Sequence, residues 1–241
     1  MGGVERLARL AMSSVSVALE PLSGASPRAR ATALSRIAGR VLAESGLSIE
    51  SSGALPSGPC VLVSNHLSWF DPLVVASRVP VTAIAKSEVG SWPFVGARAR
   101  ALGVIFVDRS SAHSGAVSLF KARRALEHGL CVLNFPEGTT TRGDRVLPFR
   151  RAIFGLARLM RVPVVPVCLE VDPALTWVGD DPLLPHVWRV ASSVRPVVRL
   201  RFEAPLVAGE GPDEELAEEA RQRIARRGVT QEAPNDAALC A

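Results

Sequence analysis

The order of apolar and polar positions along this chain predicts strands and helices in alternation. Six short runs rich in valine, isoleucine and leucine have the length and composition of buried strands. They cover residues 60–65, 81–86, 103–109, 131–136, 162–170 and 196–202. Helical spacing of apolar residues appears between them, at 72–78, 92–102, 114–128 and 151–160. Strands that alternate with helices form βαβ units, so the pattern predicts an α/β fold: a mostly parallel central sheet flanked by helices.

One of these runs carries two prolines. It reads "VPVVPV" over residues 162–167. Proline has no N–H group to give to a sheet ladder, so this run is predicted to be an irregular or edge strand.

The two ends of the chain differ from its middle. Residues 1–50 predict an N-terminal helical segment of two helices, broken near Pro21, Gly24 and Pro27, with Ser26 capping the second helix. The apolar face of the first helix suits either core packing or contact with a membrane surface. Residues 51–59 predict a loop, and 212–227 predict a helix followed by a disordered tail. The expected division is therefore 1–50, a central domain over 51–207, and a C-terminal segment over 208–241.

Composition and charge narrow the classes of partner. The net charge is +5 and the pI is near 9.7, which favours an anionic partner such as a phosphate-bearing molecule or a membrane surface. The arginines are scattered without interleaved aromatic residues, so nucleic-acid binding is not expected. No run of about 18 apolar residues predicts a spanning helix. The cysteines have no metal-ligand spacing, which indicates free thiols and no metal site.

A histidine and an aspartate mark the end of the first strand, in "SNHLSWFDP" (64–72). His66 follows the buried run, and Asp71 with Pro72 has the form of a helix start. Turns at the carboxyl ends of strands are where α/β sheets place their sites. A carboxylate that binds Nδ1–H of an imidazole leaves Nε2 free to accept a proton. The pair is thus either a general base with its orienting acid, or a helix cap beside a buried histidine.

Two further strands end in polar residues that belong at the same edge. "NFPEGTTTRGD" (134–144) follows the strand at 131–136, and its amides after Gly138 are placed to form an anion-binding nest. The strand at 103–109 ends in Asp108 and Arg109, and an arginine there suits a phosphate ligand.

Taken in order, four blocks of this sequence resemble the glycerolipid acyltransferase superfamily, whose bacterial type member makes phosphatidic acid from lysophosphatidic acid. The blocks are N-H-x4-D at Asn65, His66 and Asp71, G-x-I/F-F-I/V-x-R at 103–109, F-P-E-G-T at 135–139, and V-P-V-x-P-V at 162–167. A lysine and Trp-Pro segment at 85–96 also matches. The resemblance covers about residues 55–207.

The resemblance implies that His66 is the general base and that Asp71 orients it. It implies that a fatty acyl group moves from acyl-CoA or acyl-ACP to a free hydroxyl of a lysolipid, without a metal or redox cofactor. The enzyme is then expected in the cytoplasm, attached peripherally to the inner face of the cell membrane. The candidate substrate-binding residues are Asn65, Lys86, Arg109, Glu137, Gly138, Thr139 and Thr140.

One departure concerns the acceptor. Many relatives that use glycerol-phosphate acceptors carry an arginine directly after E-G-T, where this chain has Thr140, with Arg142 two positions later. The leading expectation is transfer to 1-acyl-sn-glycerol 3-phosphate, giving phosphatidic acid. Alternative acceptors are lyso-ornithine lipid and lysophosphatidylcholine. A lipid esterase and a non-catalytic lipid-binding protein also stay open, although no G-x-S-x-G elbow is present.

Overall fold

The structure is a computed structural model, and it describes residues 3–6, 22, 24–93, 95–179, 181–194 and 196–226. The amphipathic face predicted near the N-terminus falls mostly on residues 7–21, outside the described residues, although residues 3–6 are helical. The predicted tail after residue 227 also lies outside them.

Seven strands and seven α-helices, together with two short 3-10 turns at Ser87–Ser91 and Pro173–Leu175, are described from residue 24 onward. The strands are β1 (Ser48–Ser52), β2 (Val61–Ser64), β3 (Val81–Lys86), β4 (Ile105–Val107), β5 (Cys131–Asn134), β6 (Val164–Val171) and β7 (Val197–Phe202). The helices are α1 (Pro27–Ser45), α2 (Asp71–Ala76), α3 (Val95–Ala101), α4 (Ala112–Glu127), α5 (Ala152–Leu159), α6 (Leu183–Ser192) and α7 (Asp213–Ala225).

All seven strands form one sheet, in the order β1-β7-β6-β2-β5-β3-β4. Every neighbouring pair is parallel except β6 and β7, which are antiparallel. The mostly parallel sheet predicted from the sequence is confirmed. Strand β2, which leads to His66, lies near the centre between β5 and β6.

Helices cover both faces of the sheet, because the central strands are apolar on both sides. Leu62 and Leu133 point into one core with α1 and α2, whereas Val61, Val63 and Val132 point into a second core with α4, α5 and α7. Helix α1 begins as predicted: Ser26 is its N-cap and accepts a hydrogen bond from Ala29 N at 3.2 Å, and Pro27 is the first helical residue. Most of its buried side chains pack into the first core, whereas Ala31 packs into the second.

Two elements were missed by the sequence patterns. Strand β1 falls where the end of a helix and a loop were predicted, and it is polar and mostly exposed, so it lacks the apolar run by which strands were recognised. It forms by pairing with β7 at the edge of the sheet. Helix α6 lies in a stretch for which no helix was predicted.

The run "VPVVPV" was predicted to be an irregular or edge strand, and the edge alternative was wrong, since β6 lies between β2 and β7. The sheet accommodates Pro166 because the β7 ladder is interrupted beside it. Regular pairing starts at Val167, while Val164 forms an isolated bridge to Leu206. The carbonyl of Pro166 accepts from Glu203 N at 2.9 Å, so the side on which its N–H is missing faces this irregular segment.

Candidate active site

The candidate site lies at the carboxyl edge of the sheet, in the turn from β2 to α2. His66 follows β2 by two residues, and Asp71 is the first residue of α2. The turn brings the two side chains together, with His66 Nδ1 2.8 Å from Asp71 Oδ2. The His66 side chain keeps 15% of its surface exposed, whereas Asp71 keeps 1%. Because the carboxylate accepts at Nδ1, that nitrogen carries the proton and Nε2 is the free basic atom.

The same carboxylate oxygen also holds the turn itself. Asp71 Oδ2 accepts from Leu67 N at 2.6 Å and from Ser68 N at 2.8 Å. The alternative in which Asp71 serves as a helix cap does not describe this geometry: the N-cap is Phe70, and the carboxylate binds amides before the helix. The three donors fix the carboxylate against the imidazole.

Glu137 braces the histidine from the neighbouring strand. Its Oε1 accepts from His66 N at 2.8 Å, and its Oε2 accepts from Leu147 N at 2.9 Å. Buried carboxylates are stable when they accept hydrogen bonds in this way. Both oxygens therefore bind backbone amides, and we assign Glu137 the role of positioning His66. Its predicted contact with substrate stays a prediction.

Asn65 is buried and ties the end of β2 to β6. Its amide nitrogen donates to Leu169 O at 2.9 Å, and its amide oxygen accepts from Leu169 N at 2.8 Å. This two-way contact uses both ends of the amide. By fixing Asn65, this contact also positions the next residue, His66. The predicted part of Asn65 in substrate binding likewise stays a prediction.

Three further contacts around the histidine were not visible in the sequence. The His66 ring stacks on Phe135, with centroids 4.2 Å apart. Thr141 N donates to His66 O, and Trp177 N donates to Leu67 O, each at 2.8 Å. Backbone contacts of this kind leave no residue-type signal, although Phe135 belongs to the F-P-E-G-T block and was in principle recognisable.

The remaining predicted residues lie on β3, β4 and the turn after β5. Arg109 is half-buried, and its Nη1 donates to Gly138 O. Lys86 ends β3 and pairs with Glu88 at 2.6 Å. Gly138 has a φ of +78°, which explains the glycine at this turn.

Thr139 and Thr140 follow on the same turn, the first exposed and the second half-buried. The structure thus connects His66, Asp71, Glu137, Gly138 and Arg109 through successive contacts.

Arg150 is the polar residue that sequence reasoning missed. Its backbone N donates to Pro136 O at 3.0 Å. A Cβ placed on Gly138 would lie 2.9 Å from Arg150 Nε, so this guanidinium lies directly against the turn. Burial lowers the pKa of Arg109 and the positive charge of Arg150 lowers it further, whereas the negative charge of Glu88 acts in the opposite direction. No motif marked Arg150, because it lies 11 positions after Thr139, the end of the E-G-T block.

Two absences hold for the described part of the chain. It contains no group of three or more His, Cys, Asp or Glu side chains arranged to hold a metal ion. It also has no helix both long and apolar enough to cross a bilayer.

Comparison with known proteins identifies the family. The profile of the family described as Acyltransferase matches residues 47–170. The chain is 32% identical over 192 residues to the lyso-ornithine lipid O-acyltransferase of Pseudomonas aeruginosa, covering 77% of this chain and 74% of the relative. It is 28% identical over 220 residues to the 1-acyl-sn-glycerol-3-phosphate acyltransferase of Neisseria meningitidis, covering 87% and 86%. This chain belongs to the acyltransferase family and is an acyltransferase.

A solved structure agrees with the fold. The 1-acyl-sn-glycerophosphate acyltransferase of Thermotoga maritima superimposes with a TM-score of 0.65 over 90% of this chain and 85% of its own, at 21% identity. The sheet and its flanking helices therefore have the same fold as that protein.

Proposed function

We propose that this acyltransferase moves a fatty acyl group from a thioester to the hydroxyl of a lysolipid, with His66 as general base. The observation that carries the proposal is the 2.8 Å contact between His66 Nδ1 and the buried Asp71 carboxylate. It holds the imidazole with Nε2 free, in the state that accepts a proton. The family and the names of its relatives support the same reaction.

In the proposed reaction, His66 Nε2 takes the proton of the acceptor hydroxyl as its oxygen attacks the thioester carbonyl. A C–O bond forms, the C–S bond breaks, and the imidazolium returns its proton to the departing thiolate. Asp71 stabilises the imidazolium through Nδ1–H. A thioester is already activated, so proton transfer and positioning account for the chemistry. The donor is acyl-CoA or acyl-ACP, and no metal or redox cofactor takes part.

For the acceptor, we propose lyso-ornithine lipid. Four relatives that carry this acceptor in their names are 31–34% identical to this chain. Thr140, in place of arginine after E-G-T, favours the same choice. The second candidate is 1-acyl-sn-glycerol 3-phosphate, supported by the relative from Neisseria meningitidis, which covers more of this chain.

The test is release of free CoA by the purified protein with palmitoyl-CoA and one lysolipid at a time. We expect turnover with lyso-ornithine lipid and at most slow turnover with lysophosphatidic acid or lysophosphatidylcholine. Preference for lysophosphatidic acid would reverse the choice of acceptor. Free fatty acid as the main product would instead indicate a thioesterase. If palmitoyl-CoA gives no product, the panel is repeated with palmitoyl-ACP, and failure with both donors would contradict the proposed reaction.

We also propose that the protein works at the surface of the cell membrane, on the cytoplasmic side, where its thioester donors are found. Helix α6 supports this. Leu184 and Trp188 lie one turn apart on its outer face, with 79% and 46% of their surface exposed. Val194, just beyond the helix, is 89% exposed. Exposed apolar side chains with a tryptophan among them suit contact with a lipid interface, and the net charge of +5 suits anionic lipid.

The opposite face of α6 packs against the turn from β2 to α2, which carries His66 and is called the catalytic turn below. His186 is buried, and its Nδ1 accepts from Trp69 Nε1 at 2.9 Å, while Nε2 donates to Leu175 O at 3.0 Å. Burial lowers the pKa of His186, which keeps the imidazole neutral as these contacts require. Trp69 lies three residues after His66. A bilayer that binds the outer face of α6 would therefore contact a helix whose inner face contacts the catalytic turn directly.

The double variant Leu184→Gln/Trp188→Gln is expected to lose at least tenfold in affinity for vesicles of phosphatidylglycerol and phosphatidylethanolamine. Burial of each such side chain contributes about 1.5–3 kcal/mol, and about 1.4 kcal/mol corresponds to a tenfold change. Sedimentation with vesicles measures the loss. Leu159→Gln is the matched control, because Leu159 is 70% exposed on α5, which packs against the other face of the sheet. Equal losses in both variants would contradict α6 as the contact surface.

A further inference from the structure

Two guanidinium groups lie against the same glycine beside the catalytic histidine. Arg109 reaches Gly138 from the end of β4 and donates to its carbonyl. Arg150 reaches it from the segment before α5, with its Nε at the place where a Gly138 side chain would stand. The backbone contact from Arg150 N to Pro136 O, at 3.0 Å, fixes the base of its side chain on the same turn.

This arrangement has positive charge in excess. Neither Arg109 nor Arg150 forms a salt bridge with a carboxylate among the residues that the structure describes. Their like charges repel, and Arg109 is partly removed from water as well. The carboxylate of Glu88 opposes this effect at Arg109, but it is already paired with Lys86. Such a pair of arginines is stabilised by an anion that binds between or across the two groups. Guanidinium groups bind carboxylate and phosphate through paired hydrogen bonds, so both kinds of anion suit this site.

The position of the pair relates it to the reaction. Gly138 directly follows Glu137, whose carboxylate holds the backbone N of His66 at 2.8 Å. An anion bound at Gly138 would therefore lie on the turn whose Glu137 holds the backbone of His66. The donor thioester carries no charge at its reacting end, whereas the acceptor head group carries its anion close to its hydroxyl. The acceptor is thus the substrate that fits.

We infer that Arg109 and Arg150 together bind the anionic group of the acceptor, with Arg150 in the role of the arginine that is absent at Thr140. This inference rests on the proposed function, which supplies the acceptor. It applies to the carboxylate of lyso-ornithine lipid and to the phosphate of lysophosphatidic acid. Arg142, the nearest arginine in sequence after E-G-T, is exposed, as Arg150 is, but it lies on the following loop and supplies none of the atoms nearest to Gly138.

The kinetic test compares Arg150→Gln with the wild-type enzyme. Loss of a charge-assisted pair of hydrogen bonds is expected to raise KM for the acceptor by about tenfold to a hundredfold. KM for the acyl donor and kcat at saturating acceptor should stay within about threefold, since the variant leaves the His66 contacts in place. Arg150→Lys, which keeps the charge, should recover part of the loss. Arg145→Gln, an exposed arginine of the same loop, is the matched control.

Three results would overturn the inference: an unchanged acceptor KM in Arg150→Gln, an equal rise in donor KM, or a larger rise in Arg142→Gln. Comparing the rise in KM for lyso-ornithine lipid with that for lysophosphatidic acid shows whether binding of the carboxylate or of the phosphate depends more on Arg150.

Direct binding separates this inference from the proposed reaction. Short-chain lysophosphatidic acid and short-chain lyso-ornithine lipid are titrated into the wild type and Arg150→Gln by calorimetry, without donor. Binding by the wild type that weakens at least tenfold in the variant supports the anion site even if no acyl transfer is observed. Binding of neither probe by the wild type, or equal binding by both proteins, rejects it whatever the enzyme catalyses.

Discussion

Replacing His66 by alanine is expected to lower kcat/KM for acyl transfer by a factor of about 10²–10⁴, the usual contribution of a positioned general base. Its Nε2 is the basic atom left free by the 2.8 Å contact with Asp71. The same rate assay with lyso-ornithine lipid and palmitoyl-CoA measures the effect. Far-UV circular dichroism of the variant should match the wild type, since His66 is not in a strand or helix.

The control is His113→Ala. His113 is exposed on the first turn of α4, away from the turn between β2 and α2, so its loss should leave the rate unchanged. Full activity of a folded His66→Ala protein would refute the proposed mechanism. Loss of lipid binding in that variant would instead indicate that His66 serves to hold the substrate.

Changing Asp71 is expected to affect both rate and stability, and two variants separate the effects. Asp71→Asn keeps an oxygen for Leu67 N and Ser68 N but removes the charge that stabilises the imidazolium. We expect a rate loss of about 10²–10⁴ with a small change in stability. Asp71→Ala leaves both amides without their acceptor in a buried site, at about 1–3 kcal/mol for each unsatisfied group. Chemical denaturation measured beside the rate distinguishes the two variants.

Asp172 provides the matched control, because its carboxylate also accepts from a backbone amide, Ala174 N at 2.9 Å, but on the surface. Asp172→Ala should lower the free energy of unfolding by less than Asp71→Ala does, and it should leave the rate of acyl transfer unchanged. An Asp71→Asn protein that transfers acyl groups at the wild-type rate would mean that Asp71 acts only to hold the turn.

Several elements could be predicted because their signal is local. The strands that became β2, β3, β5 and β7 are apolar runs, and apolar runs of this length are recognisable in any sequence. The cap of α1 was predictable from Ser26 and Pro27 alone, since capping involves residues only a few positions apart. The contact of His66 with Asp71 was likewise predictable as one of two alternatives, because the two residues are only five positions apart in one turn.

Elements that depend on distant partners were missed or misjudged. Strand β1 is polar and exists through its pairing with β7, about 150 positions away. The two prolines of the β6 run left an irregular strand and an edge strand as alternatives, because the interruption beside Pro166 depends on where residues 203–206 run. Arg150 was overlooked for the same reason: its place against Gly138 follows from the path of the chain between β5 and α5.

The sequence by itself determined the alternation of strands and helices, the ordered acyltransferase blocks, and the residue types that acyl transfer needs. Tertiary structure alone decided how those residues are used. It placed both oxygens of Glu137 and both ends of Asn65 on backbone groups, so that they hold the turn that carries His66. It also brought a second arginine to Gly138. The physical reason is that hydrogen bonds and charge contacts act over a few ångströms in space, and only folding sets which residues come within that range.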